Sequence, residues 1–168
     1  MMNKIMEAKA YVFGKNVDTD QIYPGRYLEL VKPEEIAMHC LEGADPTFAA
    51  KMSKGDIVVA GTNFGCGSSR EHAAITLINA GVSVVLAESF ARIFFRNAIN
   101  LALPLMVCPK ISEKVNDEDK LVVDLLNGTV TNLTTGEVIV GEKISPSAME
   151  ILDAGGIKPL FRKKFAKV

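Results

Sequence analysis

The stretch Asn63-Phe64-Gly65-Cys66-Gly67-Ser68-Ser69-Arg70-Glu71-His72 gathers glycines, hydroxyls and a guanidinium where an apolar β-branched run gives way to a helical pattern. Such a strand-to-helix junction suits an anion. Free backbone amides and the positive end of the helix dipole favour a carboxylate or phosphate, and glycines let it approach the main chain. Arg70 adds a side chain able to grip a carboxylate through two parallel hydrogen bonds. The plainer alternative is that Ser68-x-x-Glu71 is a capping box, satisfying orphan amides at the helix start. No lysine completes a phosphate loop, and the glycine spacing is not that of a Gly-x-Ser-x-Gly nucleophile elbow, so ATPase and esterase chemistry drop out. A second polar cluster, Asn16-Val17-Asp18-Thr19-Asp20, sets two carboxylates on a turn whose residues hydrogen-bond their own backbone. Asp20 reads as a loop cap or a site residue, Asp18 as structural.

The elements that must position these residues follow from periodicity. A strand is expected over 8–13, ending at Gly14, and short helices over 33–41 and 45–52, the first opened by Pro33 and closed by Gly43. Residues 56–60 form a strand that breaks into the glycine-rich loop, a helix starts at Ser68, and 82–87 reads as a buried strand. This order resembles a βαβ crossover. A second amphipathic helix over 89–100 leads to a strand over 103–107. Beyond it, 120–126, 129–133 and 137–140 are short strands separated by Asn127-Gly128 and Thr135-Gly136 turns, which predicts antiparallel hairpins. Ser147 and Glu150 have capping-box spacing for a last helix ended by Gly155-Gly156, with a basic tail after it. The expected fold is α/β: a mixed sheet flanked by helices with C-terminal β-hairpins.

Length and composition bound the rest. The chain has 168 residues, 48% of them hydrophobic, which suits one substantial core and a single domain over 1–168. Its 19 basic and 20 acidic residues nearly cancel, so no global field draws it to nucleic acid or an anionic membrane. Apolar stretches such as 82–87 fall far below the roughly 18 residues of a membrane span. The first nine residues lack a secretory pattern, leaving the cytoplasm as the default. Cys40, Cys66 and Cys108 are odd in number and widely spaced, consistent with three reduced thiols, and Cys66 lies where oxidation would block the loop. Neither His39, expected in a plain helix, nor His72, expected to hydrogen-bond locally, has metal-ligand spacing, and no metal ligands are assigned. Arg92 and Arg96, four apart, read as a solvated stripe or a subunit contact.

Three segments together carry a family resemblance. Gly-x-Gly-Ser-Ser-Arg-Glu-His-Ala, beginning at Gly65, is similar to the signature of the swivelling domain of aconitases and their relatives. Asn16-Val17-Asp18-Thr19-Asp20-Gln21-Ile22 resembles the N-terminal motif of that domain, and Ser89-Phe90-Ala91-Arg92-Ile93-Phe94-Phe95-Arg96-Asn97 its following helix. The resemblance implies a swivelling β/β/α domain in the split form of isopropylmalate dehydratases and homoaconitases. There a separate large subunit carries a 4Fe-4S cluster and this chain binds no cofactor itself. It implies a hydro-lyase, inactive alone, that isomerises a hydroxy-dicarboxylic acid by loss and return of water, with isopropylmalate and leucine biosynthesis expected first. Carried over by position, Ser68 becomes the base, Ser69 and Arg70 carboxylate ligands, and Asp20 a further substrate-site residue.

Arg26, Tyr27, Leu28, Glu29 and Leu30 resemble the family's substrate-specificity loop. Relatives taking an extra carboxylate are expected to have arginine after the Tyr-Leu pair. Glu29 stands there instead and disfavours homocitrate-like substrates. Leu28 and Leu30 suit an alkyl group, each buried methylene contributing about 0.8 kcal/mol. Isopropylmalate or dimethylmalate both satisfy that argument, and Arg26 either pairs with Glu29 or reaches the substrate. The rival from another class is a non-catalytic module that captures a phosphate or small carboxylate on the 65–70 loop.

Overall fold

A computed structural model describes residues 2–166. Seven strands, β1 Ile5–Val12, β2 Ile57–Ala60, β3 Val84–Ala87, β4 Leu105–Val107, β5 Lys120–Asp124, β6 Thr129–Asn132 and β7 Val138–Val140, form one sheet in the order β4-β3-β2-β1-β5-β6-β7. Pairing from β4 through β1 is parallel, and from β1 through β7 antiparallel. The α/β class, the crossovers and the C-terminal hairpins agree with the reading of the sequence.

Every residue of β2 and β3 is buried, as strands covered on both faces require. Val58, Ala60, Val85 and Ala87 meet one core with Phe48, Phe64, Leu77 and Phe94. Ile57, Val59, Val84 and Leu86 meet a second, which includes Leu121, Val123, Val130 and Ile139 from the meander. The sheet therefore curls, the meander covering one face of the parallel half while helices cover the other. Beyond β7, Glu142 N donates to Val107 O at 2.8 Å, tying the end of the meander to β4.

The crossover helices are α4 His72–Ala80 and α5 Arg92–Asn100; before them come α1 Thr19–Ile22, a 3-10 turn Gly25–Tyr27, α2 Pro33–Ala37 and α3 Phe48–Lys51. After them come α6 Ile111–Lys114, α7 Pro146–Ala154 and α8 Ile157–Phe165. No helix among the described residues is long and apolar enough to cross a membrane.

Several boundaries differ from expectation for identifiable reasons. β1 starts at Ile5 because its first half pairs with β5, from Ile5 opposite Asp124 to Lys9 opposite Lys120. The helix expected over 33–41 stops after Ala37: Leu41 takes a φ of 55° and gives its N–H to Ile22 O at 2.7 Å. His39 thus lies beyond the helix. Asp45 accepts bonds from the Thr47 N–H and hydroxyl, which holds a turn and delays α3 to Phe48. Ser145, not Ser147, caps α7 through the Ala148 N–H, with Pro146 at the first position. The basic tail is helical, α8 carrying Arg162, Lys163 and Lys164 in its last turn.

Candidate active site

Three segments leave the carboxyl ends of β1, β2 and β3, and sheet pairing continues into them. Asp18 bridges Cys66 and Phe64 bridges Phe90, both in parallel. Thr19 N donates to Cys66 O at 2.8 Å, Gly65 N to Val17 O at 2.8 Å, and Ala91 N to Phe64 O at 2.9 Å. The motifs at 16–22, 63–72 and 89–97 therefore lie side by side at the sheet end where open α/β folds bind ligands.

This pairing corrects two expected helix starts. Residues 89–91 are extended against the glycine loop, with Ser89 Oγ accepting from Asn63 N at 2.7 Å, so α5 begins at Arg92. Ser68 and Glu71 do not form a capping box, since α4 begins at His72 and no side chain caps it. The Ser68 hydroxyl is engaged elsewhere: its oxygen lies 3.1 Å from Thr19 Oγ1 and accepts from Arg70 Nε at 3.2 Å. With no capping carboxylate, the positive end of the α4 dipole remains available to an anion.

Gly65 and Gly67 make this loop possible. A Cβ on Gly65, at a φ of +87°, would fall 2.2 Å from Phe94 Cγ. Gly67, at +108°, lies close enough to α1 that a Cβ would meet Thr19 Oγ1 at 3.1 Å. α5 thereby supports the loop from below, and Asn97 Nδ2 donates to Ser69 O at 3.0 Å.

Arg70 and Ser69 are exposed, and Arg70 enters no ion pair among the described residues. Its Nε is committed to Ser68, which leaves the two terminal nitrogens for a carboxylate. Asp18 is the N-cap of α1, in a reciprocal box with Gln21. Asp20 sits in the first turn of that helix rather than on an open loop, and its Oδ1 accepts from Gly25 N at 2.8 Å. One oxygen of Asp20 thus braces the start of the 26–30 segment.

That segment is fixed from several sides. Tyr23 OH donates to Tyr27 O at 2.6 Å; burial, then Glu35 and Tyr27 nearby, push the Tyr23 phenol above its ordinary range. Tyr27 stacks on His39 with ring centroids 3.6 Å apart. Arg26 pairs with Glu42 at 3.1 Å, not with Glu29, because Glu42 is also bonded to His39 Nδ1 at 3.2 Å and forms the fixed partner. Burial works to raise the Glu42 carboxyl, but Tyr27, His39 and the Arg26 charge together hold it below its usual range. Leu28 and Leu30 are half-buried and Glu29 is exposed. His72 stacks on Tyr23 at 6.0 Å, and its buried Nδ1 has no partner among the described residues, contrary to the local hydrogen bond expected.

Ser69 and Arg70 form part of an open, exposed face at the strand ends. A hollow of about 790 Å³ lies between α7 and α8, lined by Met149, Asp153, Leu160 and Lys163 among others, none of them a motif residue. Burial pushes the Cys40 and Cys108 thiols up to about 12, so both stay protonated, while Cys66 in the site loop is partly exposed. Arg92 and Arg96 are exposed on α5. Two contacts were not assigned from the sequence, Thr19 to Ser68 and Asn97 to Ser69; they join residues 49 and 28 positions apart, a separation no local pattern encodes.

Comparison with known proteins fits this arrangement. The aconitase C-terminal domain family matches residues 44–109. The chain is 57% identical to the isopropylmalate/citramalate isomerase small subunit of Methanocaldococcus jannaschii, over 99% of each chain. It is 51% identical to 3-isopropylmalate dehydratase small subunit 1 of Methanopyrus kandleri, over 97% of this chain and 96% of that one. A crystal structure of 3-isopropylmalate dehydratase from Methanocaldococcus jannaschii superimposes with a TM-score of 0.92 at 41% identity, covering 96% of each chain. With identity this high over nearly the whole length, the chain belongs to the 3-isopropylmalate dehydratase small-subunit family of the aconitase superfamily.

Proposed function

We propose that this chain is the small subunit of a two-subunit cytoplasmic hydro-lyase that isomerises isopropylmalate in leucine biosynthesis, acting only when joined to a large iron–sulfur subunit. The observation that carries the reading is the Ser68 hydroxyl, held by Arg70 and Thr19 on an open face at the strand ends. A closed pocket is not needed here, because a second surface completes the site.

Ser68 serves as the base that takes the proton from the carbon beside a substrate carboxylate. An ordinary serine hydroxyl is far too weak an acid for this, so the alkoxide depends on cationic, water-excluding surroundings. Arg70 Nε, 3.2 Å from the oxygen, supplies a charge-assisted donor. The terminal nitrogens of Arg70 and the Ser69 hydroxyl bind the carboxylate and stabilise the charge that builds on it. Asp20 holds the 26–30 segment through Gly25 and orients polar groups at the site edge. Leu28 and Leu30 receive the alkyl group, and Glu29 repels substrates with a further carboxylate. Among the described residues no group of three or more His, Cys, Asp and Glu converges to hold a metal. We assign the 4Fe-4S cluster, a Lewis acid toward the departing hydroxyl, to the large subunit.

A second substrate, citramalate, is favoured by one observation: the relative at 57% identity is named an isopropylmalate/citramalate isomerase. A methyl group fits the same apolar contacts. The test is anaerobic reconstitution with the large subunit, following ultraviolet absorbance of the unsaturated product from isopropylmalate, citramalate, dimethylmalate and homocitrate. Isopropylmalate should react fastest, with citramalate measurable. Preference for homocitrate would overturn the specificity argument, and failure to form any complex while the chain still binds small carboxylates would favour a binding module.

A further inference from the structure

We propose that Thr19 is the positioning residue for Ser68, fixing its oxygen and donating a hydrogen bond to it when it is deprotonated; this rests on the reading of Ser68 as the base. Hydrogen bookkeeping carries the argument. Thr19 Oγ1 accepts the Ser68 backbone N–H at 3.1 Å, and the Ser68 side-chain oxygen stands at the same distance, 3.1 Å, from that atom. A threonine hydroxyl has one hydrogen to give. Once Ser68 loses its proton, its oxygen is an acceptor only, so Thr19 must be the donor of that contact. With Arg70 Nε at 3.2 Å, the Ser68 oxygen then receives two donors, the arrangement that favours the charged form of an acid. Thr19 keeps its own proton throughout.

Its placement suits a fixed donor. Thr19 is 7% exposed, and its β-branched side chain has few rotamers to choose from. It opens α1 directly after the Asp18 cap, and its own N–H is tied to Cys66 O at 2.8 Å. The hydroxyl is thus held by the β1 loop while it touches the β2 loop. Gly67 leaves room for it, since a Cβ there would lie 3.1 Å from Thr19 Oγ1.

The test compares Thr19→Val, which keeps the shape and loses the hydroxyl, with Thr19→Ser, which keeps the hydroxyl. In the reconstituted enzyme, Thr19→Val should lower kcat by about tenfold to a hundredfold with KM changed less than about threefold, and move the limb on which rate rises with pH to higher pH. Thr19→Ser should recover most of the rate. In crystals of the small subunit alone, Ser68 should spread over more than one rotamer in Thr19→Val and keep a single one in Thr19→Ser. Full activity with an unmoved Ser68 in Thr19→Val, or equal damage from both substitutions, would overturn the proposal. A wild-type pair inert toward every malate would instead sink the functional reading, and the Ser68 rotamer in Thr19→Val crystals would still decide the role of Thr19.

Discussion

The parallel and antiparallel halves of the sheet are made from similar β-branched residues, yet only the parallel half gathers the three sequence motifs at its strand ends. β2 and β3 are buried throughout, and each is followed by a crossover that carries the chain from the carboxyl end back to the amino end of the parallel strands. That geometry gathers the loops after β1, β2 and β3 on one edge and joins them by the Asp18–Cys66 and Phe64–Phe90 bridges. β5, β6 and β7 alternate buried and outward residues and are joined by tight turns, so the chain comes back at once and no loop cluster forms. The meander closes the second core; the parallel half presents Ser68, Ser69 and Arg70. Direction of pairing, more than composition, decides which half presents the candidate site.

The sharpest way to break this contrast is at Gly65. Gly65→Ala forces a Cβ into Phe94 at a left-handed φ and should destabilise the subunit by about 3 kcal/mol, measured by denaturant unfolding, with turnover lost. An unchanged unfolding midpoint would show that α5 does not support the loop as described. Next comes Arg70→Lys, which keeps the charge but loses the planar fork. It should lower kcat/KM by about a hundredfold in the reconstituted enzyme; a change under about threefold would remove Arg70 from the carboxylate site. A smaller effect is expected for Glu29→Arg, which should shift the homocitrate-to-isopropylmalate ratio of kcat/KM upward by about tenfold. No shift would place substrate choice elsewhere. The smallest belongs to the meander. Gly136→Ala, at a φ of +81° with nothing within 4 Å of the added carbon, should cost about 1 kcal/mol of stability and leave turnover untouched.

Much of this was legible in the sequence because local pattern specified it. The buried runs at 57–60 and 84–87 and the turn pairs Asn127-Gly128 and Thr135-Gly136 mark the two halves of the sheet without any long-range information. The start of α4 was not legible, since Ser68-x-x-Glu71 fits a cap by spacing alone, and the contacts with Thr19 and Arg70 show where the hydroxyl is engaged. Of the two readings left open for Arg26, the pair with Glu29 is not formed: Glu29 is near in sequence, whereas Glu42 is fixed beside Arg26 by His39 in space. That the 16–22, 63–72 and 89–97 segments share one edge follows from parallel pairing, which periodicity cannot order.

The central claim, that this open face supplies the base to a site completed by another subunit, is tested most directly by Ser68→Ala in the anaerobically reconstituted enzyme. The subunits should still associate and the small subunit should keep its unfolding midpoint, while isopropylmalate turnover falls about a thousandfold or more. Turnover within about tenfold of wild type, in a complex that assembles normally, would contradict it.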